Sequence, residues 1–356
     1  MQGQLMLRRA EPKDARTLFE LRYLAYLRPY ALYSSPENPC LEAFDGFAAR
    51  VADQGQSQMY GLYLGTKPVG GAALCVRDGQ VVLQELYVDP AMQGRGIGGQ
   101  ALRLLEARHP AAVYALEAPD DQGGGLFYQA GYRPTRQARQ AGGRCQMFAW
   151  VKEAYKQVEI LLSPLRREQL PALERMCADL DDRRLYDFGG GALEQRPGVE
   201  ALSGLLGAGK HHAGASRLDY AIEVPQYGAV IGLISLTELE WEVKRGQLAH
   251  LLIDPLWRGV GLGSRAVESA CRAAFDKYGF RGLTANVLED NQAALRCLER
   301  AGFRLAFRRE GAFAVEGGEA LDYLALMRRS GDGLEAPREE REEPETAPED
   351  EARDEA

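Results

Sequence analysis

The sequence of 356 residues is poor in the features that would assign a function at once. Its six cysteines include no CxxC pair, and the adjacent His211 and His212 have no cysteine or carboxylate at ligand spacing, so we predict reduced thiols and no metal site. No segment approaches the roughly 18 consecutive apolar residues of a membrane span, and the start, MQGQLMLRRAEPKD, does not resemble a secretory signal. These absences predict a cytoplasmic protein with no membrane partner.

The net charge of −8 is concentrated at one end of the chain. Residues 331–356 carry twelve acidic side chains against three arginines and have almost no residue that could build a core. We therefore predict a disordered acidic tail, which is either a solvating appendage or a docking segment for a basic partner. The rest of the chain is nearly neutral, and we expect no nucleic-acid partner.

The length of the chain fits two domains of ordinary size, and a long-range repeat supports that number. Residues 89–100 read DPAMQGRGIGGQ, and residues 254–265 read DPLWRGVGLGSR. In each half, predicted strands and helices follow one another in the same order, with hairpin-linked strands before the glycine-rich turn and a helix after it. The sequence predicts domains over 1–152 and 158–330, a linker over 153–157 and the tail over 331–356.

A glycine-rich turn at the start of a helix is a natural anion site, because unpaired backbone N–H groups point out of the helix end and no side chain blocks them. The P-loop is excluded, since neither turn has the lysine of GxxxxGK[ST]. The dinucleotide fingerprint GxGxxG occurs as Gly94, Gly96 and Gly99, with Glu117 about 20 residues further on, and it would predict an NAD-dependent oxidoreductase. Hairpin-linked strands before the turn, and Ser264 in place of the third glycine, weaken that alternative.

The third design is the acetyl-coenzyme A loop of the GNAT acetyltransferase superfamily, whose signature is [QR]xxGx[GA] after the fourth strand. The strand endings ELYVDP and HLLIDP, and the segments LFYQAGY and LEDNQAALRCLERAGF, are similar to that family. Both turns resemble the loop itself, through Gln93, Gly96 and Gly98 in the first and Arg258, Gly261 and Gly263 in the second.

This resemblance implies an α/β fold of two GNAT-like domains in tandem, each a mixed sheet flanked by helices, in a duplicated architecture similar to that of mycothiol synthases. It implies acetyl-CoA as the acyl donor and no metal. Asn291 matches the family asparagine that contacts the pantetheine arm or a bound water. The other implied cofactor-binding residues are Tyr87, Val88, Gln93, Gly94, Arg95, Gly96, Ile97, Gly98 and Gly99 in the first half, and Ile253, Arg258, Gly259, Val260, Gly261, Leu262, Gly263 and Ser264 in the second.

The resemblance also implies a catalytic base on the fourth strand, nine or eleven residues before the loop motif. Those places hold no base, since they are occupied by Gln84, Val82, Ala249 and Gln247. The neighbouring Glu85 and His250 reach the acyl group only if a bulge turns them to the other face of the strand. The alternatives are a structural ion pair for Glu85 and a core histidine for His250.

The family tyrosine that protonates the leaving thiolate stands four residues before the glycine of the final GF or GY. Leu298 holds this place in the second half and Phe127 in the first, where Tyr128 follows at once. A shortened turn would bring Tyr128 to the sulfur, and ordinary packing is the alternative. Because Glu85 and Tyr128 both lie in the first half, we expect the first half to be catalytic.

The first helix and its exit are crowded with aromatic side chains, which form either a packed lid or an acceptor pocket: Tyr23, Tyr26, Tyr30 and Tyr33. We expect an N-acetyltransferase that moves acetyl from acetyl-CoA to a primary amine of a small molecule, or to a peptide N-terminus, by direct attack in a ternary complex. We expect it to act as a monomer or homodimer. The alternative, raised by the vacant catalytic places in the second half, is an acyl-CoA-binding sensor or scaffold in which one or both domains are catalytically degenerate.

Overall fold

The computed structural model describes residues 4–30, 42–55, 57–119, 124–141, 145–189, 195–209, 211–313 and 321–331. The predicted acidic tail lies outside these residues beyond Gly331. Tyr33 also lies outside them, and Tyr26 and Tyr30 are described only by their backbone.

Within the described residues, each half of the chain contains seven strands. The first half consists of strands β1 (Leu5–Arg9), β2 (Gln58–Leu64), β3 (Lys67–Arg77), β4 (Gln80–Val88), β5 (Val113–Pro119), β6 (Arg133–Ala141) and β7 (Cys145–Glu153), with helices α1 (Ala15–Tyr30), α2 (Phe44–Ala52), α3 (Ile97–Arg108) and α4 (Gly124–Gln129). The second half consists of strands β8 (Leu161–Pro164), β9 (Leu218–Val224), β10 (Ala229–Glu240), β11 (Arg245–Ile253), β12 (Gly282–Leu288), β13 (Arg304–Phe313) and β14 (Leu321–Arg329), with helices α5 (Leu170–Cys177), α6 (Asp182–Gly189), α7 (Val199–Leu205), α8 (Leu262–Arg272) and α9 (Gln292–Arg300).

The two sheets have the same topology. The strand order is β1-β2-β3-β4-β5-β7-β6 in the first and β8-β9-β10-β11-β12-β14-β13 in the second. The hairpins β2–β3–β4 and β9–β10–β11 are antiparallel, as their turn residues predict. The prediction of two mixed α/β domains with GNAT-like order is therefore confirmed, and an antiparallel hairpin before each glycine turn argues against a dinucleotide-binding βαβ unit.

One parallel pair in each sheet opens toward its carboxyl end. The pairing joins Val81–Leu83 to Tyr114–Leu116 in the first sheet and Arg245–Gln247 to Gly282–Thr284 in the second. Beyond these residues β4 and β11 continue without pairing to their parallel neighbours. A cleft therefore opens between the parallel strands at the edge from which the glycine turns leave.

Helices cover both faces of each sheet. In the first half, Leu18 of α1 and Phe47 of α2 pack on one face, while Leu102 of α3 packs on the other. In the second half, helices α5, α6 and α7 cover the first face, and α8 and α9 cover the second. The sequence does not predict α6 and α7, because each is short and only a few apolar residues mark its buried side.

A short segment joins the two halves and is itself hydrogen-bonded to the first of them, and one backbone hydrogen bond connects the halves directly next to the second glycine turn. The Ala112 N–H donates to the Leu256 carbonyl (2.9 Å), and the Ala112 carbonyl accepts from the Tyr155 N–H (3.1 Å). Arg265 of α8 donates to the Val158 carbonyl (3.2 Å). The division into domains over 1–152 and 158–330 with a linker over 153–157 stays a prediction.

The structure describes the side chains of four of the six cysteines, and all four are free thiols. Cys177 and Cys271 are buried, and burial raises the pKa of each thiol to about 11, so both are unreactive at neutral pH. Among the described helices, none combines the length and apolar character needed to cross a membrane.

Candidate functional site

The two glycine turns have the same backbone. Gly94 and Gly96 have φ values of 75° and 74°, and Gly259 and Gly261 have values of 76° and 87°. A Cβ added at any of the four would meet no protein atom within 4 Å. The left-handed backbone, not crowding by the protein, is what favours glycine here, and the space above each turn is open to a ligand.

Side chains at matching positions hold each turn in place. Asp89 accepts a hydrogen bond from the Ala91 N–H (2.9 Å), and Asp254 accepts one from the Leu256 N–H (2.9 Å). The first residue of each loop motif reaches back to the end of the preceding strand. The Gln93 amide donates to the Val88 carbonyl (3.0 Å), and the Arg258 Nε donates to the Ile253 carbonyl (2.7 Å).

Each turn ends in a helix whose first amides are unpaired within the helix. Gly96 and Gly261 are the N-caps and have no side-chain cap. The first intrahelical bonds are Gln100 N–H to Gly96 (3.1 Å) and Arg265 N–H to Gly261 (3.2 Å). The amides before Gln100 and Arg265 therefore face the open space, where the helix dipole favours an anion such as a diphosphate.

The next glycine of each motif serves helix packing. A Cβ at Gly98 would lie 3.2 Å from Leu126 of α4, and one at Gly263 would lie 3.0 Å from the Cys297 sulfur of α9. A Cβ at Gly99 would make only an ordinary contact at 3.6 Å. The second domain accordingly accommodates a buried serine, Ser264, at that position.

Other predicted cofactor residues differ in their exposure. Ile97 and Leu262 are buried and anchor the start of α3 and α8 to the core. Tyr87 is buried, and its ring packs against Gly71 of the neighbouring strand β3. Arg95 is exposed at the turn, whereas Val260 is partly buried in the matching place.

Both fourth strands contain the bulge on which the two candidate bases depend. In β4, Ala73 faces Glu85 but Leu74 faces Leu83, so Gln84 is an extra residue. In β11, Leu233 faces Leu252 and Ser235 faces Ala249, which leaves one extra residue at His250–Leu251. His250 adopts a φ of 51°, which a non-glycine residue seldom does.

Glu85 is held by two arginines. Arg22 of α1 donates to both carboxylate oxygens (2.8 and 3.1 Å), and Arg50 of α2 donates to one of them (2.9 Å). Arg50 also pairs with Glu42 at 2.6 Å. The side chains of Arg22 and Glu85 are only 8% and 15% exposed. This geometry matches the structural ion pair, because two guanidinium groups hold both carboxylate oxygens and stabilise the charged form, which makes the carboxylate a weaker base.

The surroundings of His250 differ from those of Glu85, because no charged side chain among the described residues forms an ion pair with its ring. Its ring packs edge-on against Phe188 at 5.5 Å, and its Nδ1 is buried with no hydrogen-bond partner in the part of the chain that the structure describes. Burial, together with the nearby Arg217 guanidinium, lowers the pKa of His250 to about 4. The imidazole is therefore neutral at physiological pH and retains a free acceptor or donor nitrogen.

A cavity of about 500 Å³ adjoins His250 on the face of the second sheet that α6 covers. Its floor comes from β11, β12, β14 and β13 and includes Ala249, Asn286 and Ala325, and its wall comes from α6. The two strand positions where the family places its base, Gln247 and Ala249, both line it. No group of three or more histidine, cysteine, aspartate or glutamate side chains in the described residues could hold a metal ion there or elsewhere.

The wall of this cavity is fixed to the sheet through Asp187 of α6. Asp187 accepts hydrogen bonds from the Leu288 N–H (3.0 Å), the Asn291 side chain (2.5 Å) and the Tyr323 hydroxyl. Burial raises the pKa of this carboxyl. Arg184, one turn earlier in α6, pairs with Asp290 at 2.9 Å. These links set the position of α6 above the strands.

Two family models match the chain in succession. An acetyltransferase (GNAT) family model matches residues 17–132, and an acetyltransferase (GNAT) domain model matches residues 159–304. The chain belongs to the GNAT acetyltransferases. It is an N-acetyltransferase with two GNAT domains in tandem, as the repeated glycine turn predicts. No curated protein matches the chain.

Several solved structures are similar to one half of this GNAT chain. The spermidine N-acetyltransferase of Vibrio cholerae in complex with CoA and spermine is 18% identical, covers 49% of this chain and 96% of its own, and has a TM-score of 0.42. The same enzyme in a dodecameric intermediate state is 18% identical, with coverage of 48% and 93% and a TM-score of 0.39. A probable acetyltransferase is 15% identical, with coverage of 49% and 94% and a TM-score of 0.41.

Tyr128 and Asn291 lie in the last helical segment of each GNAT domain. Tyr128 is 48% exposed and stacks edge-on against Trp150 at 5.2 Å, while Phe127 beside it is buried in the core. Asn291 caps α9 by accepting from the Ala294 N–H (3.2 Å) and donates to Asp187. Both ends of the Asn291 amide therefore already have protein partners.

Sequence reasoning missed the residues of the second GNAT domain that shape the cavity from α6 and β14. Asp187, Phe188 and Tyr323 belong to no motif and come from segments far apart in the chain. The only sequence signal for Asp187 and Phe188 is the adjacency of acidic and aromatic residues in LYDFGG, and Tyr323 follows Asp322 in the strand LDYLALM. His211, considered above for metal binding, instead contacts the Asp219 carbonyl through Nε2 (2.9 Å).

Proposed function

We propose that the protein transfers acetyl from acetyl-CoA to a primary amine of a small molecule in a ternary complex, and that the C-terminal domain carries out the transfer. This differs from the expectation that the first half is catalytic. The observation that carries the proposal is the cavity beside the β11 bulge, where His250 is neutral and has an unpartnered nitrogen.

The two glycine turns support acetyl-CoA as the acyl donor. Unpaired amides at a helix start, below open space, favour binding of the CoA diphosphate, and the widening gap between β11 and β12 offers room for the pantetheine arm. The matching turn and gap in the first domain favour a second CoA per chain. Gln93 and Arg258 contribute by fixing the turn.

The acceptor cavity supports chemistry at an amine. The free amine attacks the thioester carbon, a C–N bond forms, and collapse of the tetrahedral intermediate breaks the C–S bond. The attacking nitrogen becomes acidic once it is bonded to that carbon, so a neutral imidazole of lowered pKa is sufficient to take its proton. We assign this role to His250, and the departing thiolate takes a proton from water because Leu298 holds the family tyrosine's place.

For the first domain we propose a second role, acyl-CoA binding without transfer. The observation that favours it is the double ion pair at Glu85, which removes the equivalent of His250 from proton transfer. Tyr128 is then a packing residue.

The test is turnover with a panel of primary amines. The protein is incubated with acetyl-CoA and each amine, thiol release is followed, and the acetylated amine is identified by its mass. We expect release that depends on at least one amine. Binding of CoA by calorimetry without turnover across a broad panel would instead support the sensor, and tight binding of a nicotinamide dinucleotide would support the oxidoreductase.

A further inference from the structure

The cavity in the C-terminal domain has charged groups at its two opposite sides. Glu238 lies at the β10 side, next to β11, and Arg309 lies on β13, the edge strand. Within the described residues, neither side chain forms an ion pair or hydrogen bond, whereas Arg217 in the same cavity is fully engaged by Asp219 at 2.7 Å and by the Leu205 carbonyl. The lining therefore has one unpaired negative and one unpaired positive charge.

The strand register places Arg309 on the cavity floor. Phe307 pairs with Ala325, which pairs with Asn286, and all three line the cavity. Arg309 pairs with Tyr323 in the next row and shares their face, because alternate residues of a strand point to the same side. Arg308, between Phe307 and Arg309, pairs instead with Glu289 and Asp322 and does not line the cavity.

The spacing of the strands gives the distance between Arg309 and His250. Arg309 on β13 is three strands away from His250 on β11, across β14 and β12. At about 4.8 Å for each of the two paired steps, the β13 and β12 backbones are roughly 10 Å apart. The step from β12 to β11 is wider at His250, because the pairing ends at Gln247. The arginine side chain covers part of the total distance. The surface between them combines Ala325, Phe307 and Tyr323 with the amide of Asn286.

We infer that the acceptor amine carries an anionic group, a carboxylate or a phosphate, at the far end of an apolar body, and that Arg309 selects it. The inference rests on the proposed transfer in the C-terminal domain and adds the substrate class. An ammonium is drawn to the Glu238 side before it loses its proton to water, and the anion pairs with Arg309, so the two charges orient the acceptor with its nitrogen toward His250.

The experiment compares three acceptors of equal chain length: hexylamine, ω-aminohexanoate and ω-aminohexyl phosphate. For the wild-type protein with acetyl-CoA, we expect kcat/KM to be roughly tenfold to a hundredfold higher for an anionic acceptor than for hexylamine. The better of the two anionic acceptors identifies the group. In Arg309→Met we expect kcat/KM for the anionic acceptors to fall to about the hexylamine value, so that the preference disappears. In Arg309→Lys we expect most of the preference to remain.

Arg308→Met is the matched control, because it removes the adjacent exposed cation that does not line the cavity, and we expect the preference to persist. Equal use of all three acceptors by the wild type, or an equal loss for all three in Arg309→Met, would overturn the inference. Calorimetric binding of the same molecules in the presence of CoA gives a second readout. If no amine is acetylated, the proposed function fails, and the inference still stands or falls on whether anionic binding depends on Arg309.

Discussion

The two domains have the same glycine turn, where we propose that CoA binds, and differ beside the bulge of the fourth strand, where we propose that the acceptor binds in the C-terminal domain. Their glycine turns agree in backbone angles, in the aspartate that starts the turn and in the side chain that reaches back to the strand. The two domains differ on the strand before each turn. Glu85 and His250 occupy matching places on bulged strands, but Glu85 is clamped by two arginines, whereas His250 borders a cavity.

This difference shows which parts of a duplicated fold are fixed by backbone chemistry and which by side chains. An anion site made of amides survives any substitution that keeps the glycines and the helix start. An acceptor site depends on side chains from helices and edge strands. In the first domain, Arg22 and Arg50 form an ion-pair cluster with Glu85 at the place that His250 holds in the second.

The largest effect should come from the loop glycines. Gly261→Glu places a carboxylate and a strained backbone at the C-terminal turn, so we expect one CoA site to be lost, with affinity reduced by more than about a hundredfold, and turnover to stop. Gly96→Glu should remove the other CoA and spare turnover. Calorimetric stoichiometry checks both, with Gly261→Ala and Gly96→Ala as controls for backbone strain. Two CoA still bound in both glutamate variants would show that the sites lie elsewhere.

The protonation of His250 gives a pH-dependent difference between the domains. Its pKa is about 4 in the folded chain, below the unfolded value of 6.5, so the unfolded chain binds the extra proton. The resulting stability is present above pH 6.5 and is lost as the pH falls through 4, by up to about 3 kcal/mol.

The chain has four histidines, so the NMR titration of His250 can be assigned by comparison with His250→Gln. We expect the His250 resonance to stay neutral at pH 5.5, and His250→Gln to lose this part of the acid destabilisation relative to wild type. A His250 resonance that titrates near 6.5 would contradict the buried, neutral state.

A smaller effect should come from the anchor of α6. Asp187→Asn turns an acceptor into a donor facing the Asn291 amide, so we expect a loss of about 1–3 kcal/mol in stability and a higher KM for the acceptor amine. The KM for acetyl-CoA should stay the same. Asp182→Asn, in the exposed first turn of the same helix, is the control. Equal changes in both KM values would mean that Asp187 does not act through the acceptor cavity.

The smallest effect should come from Tyr128. Its exposed hydroxyl forms no hydrogen bond among the described residues, so we expect Tyr128→Phe to change stability by less than about 0.5 kcal/mol and turnover by less than about twofold. Tyr323→Phe, which removes a hydroxyl bonded to Asp187, should have the larger effect. A strong loss of turnover in Tyr128→Phe would return the first domain to a catalytic role.

The glycine turns, the strand order and the tandem arrangement could be predicted because each depends on local chemistry: a left-handed φ that needs glycine, or hairpin turns between alternating strands. The roles of Glu85 and His250 could not. The partners of Glu85 stand 63 and 35 residues away in the sequence. The missed helix α6 supplies both Phe188 against the His250 ring and the wall of its cavity.

The most direct test of the division between the domains is the single-turnover rate of acetyl transfer in His250→Gln and Glu85→Gln, measured side by side on protein shown to bind two CoA per chain. We predict that His250→Gln lowers the rate by about a hundredfold or more with acetyl-CoA binding unchanged, and that Glu85→Gln stays close to wild type. Loss of transfer in Glu85→Gln, with transfer retained in His250→Gln, would contradict this account and place the chemistry in the first domain.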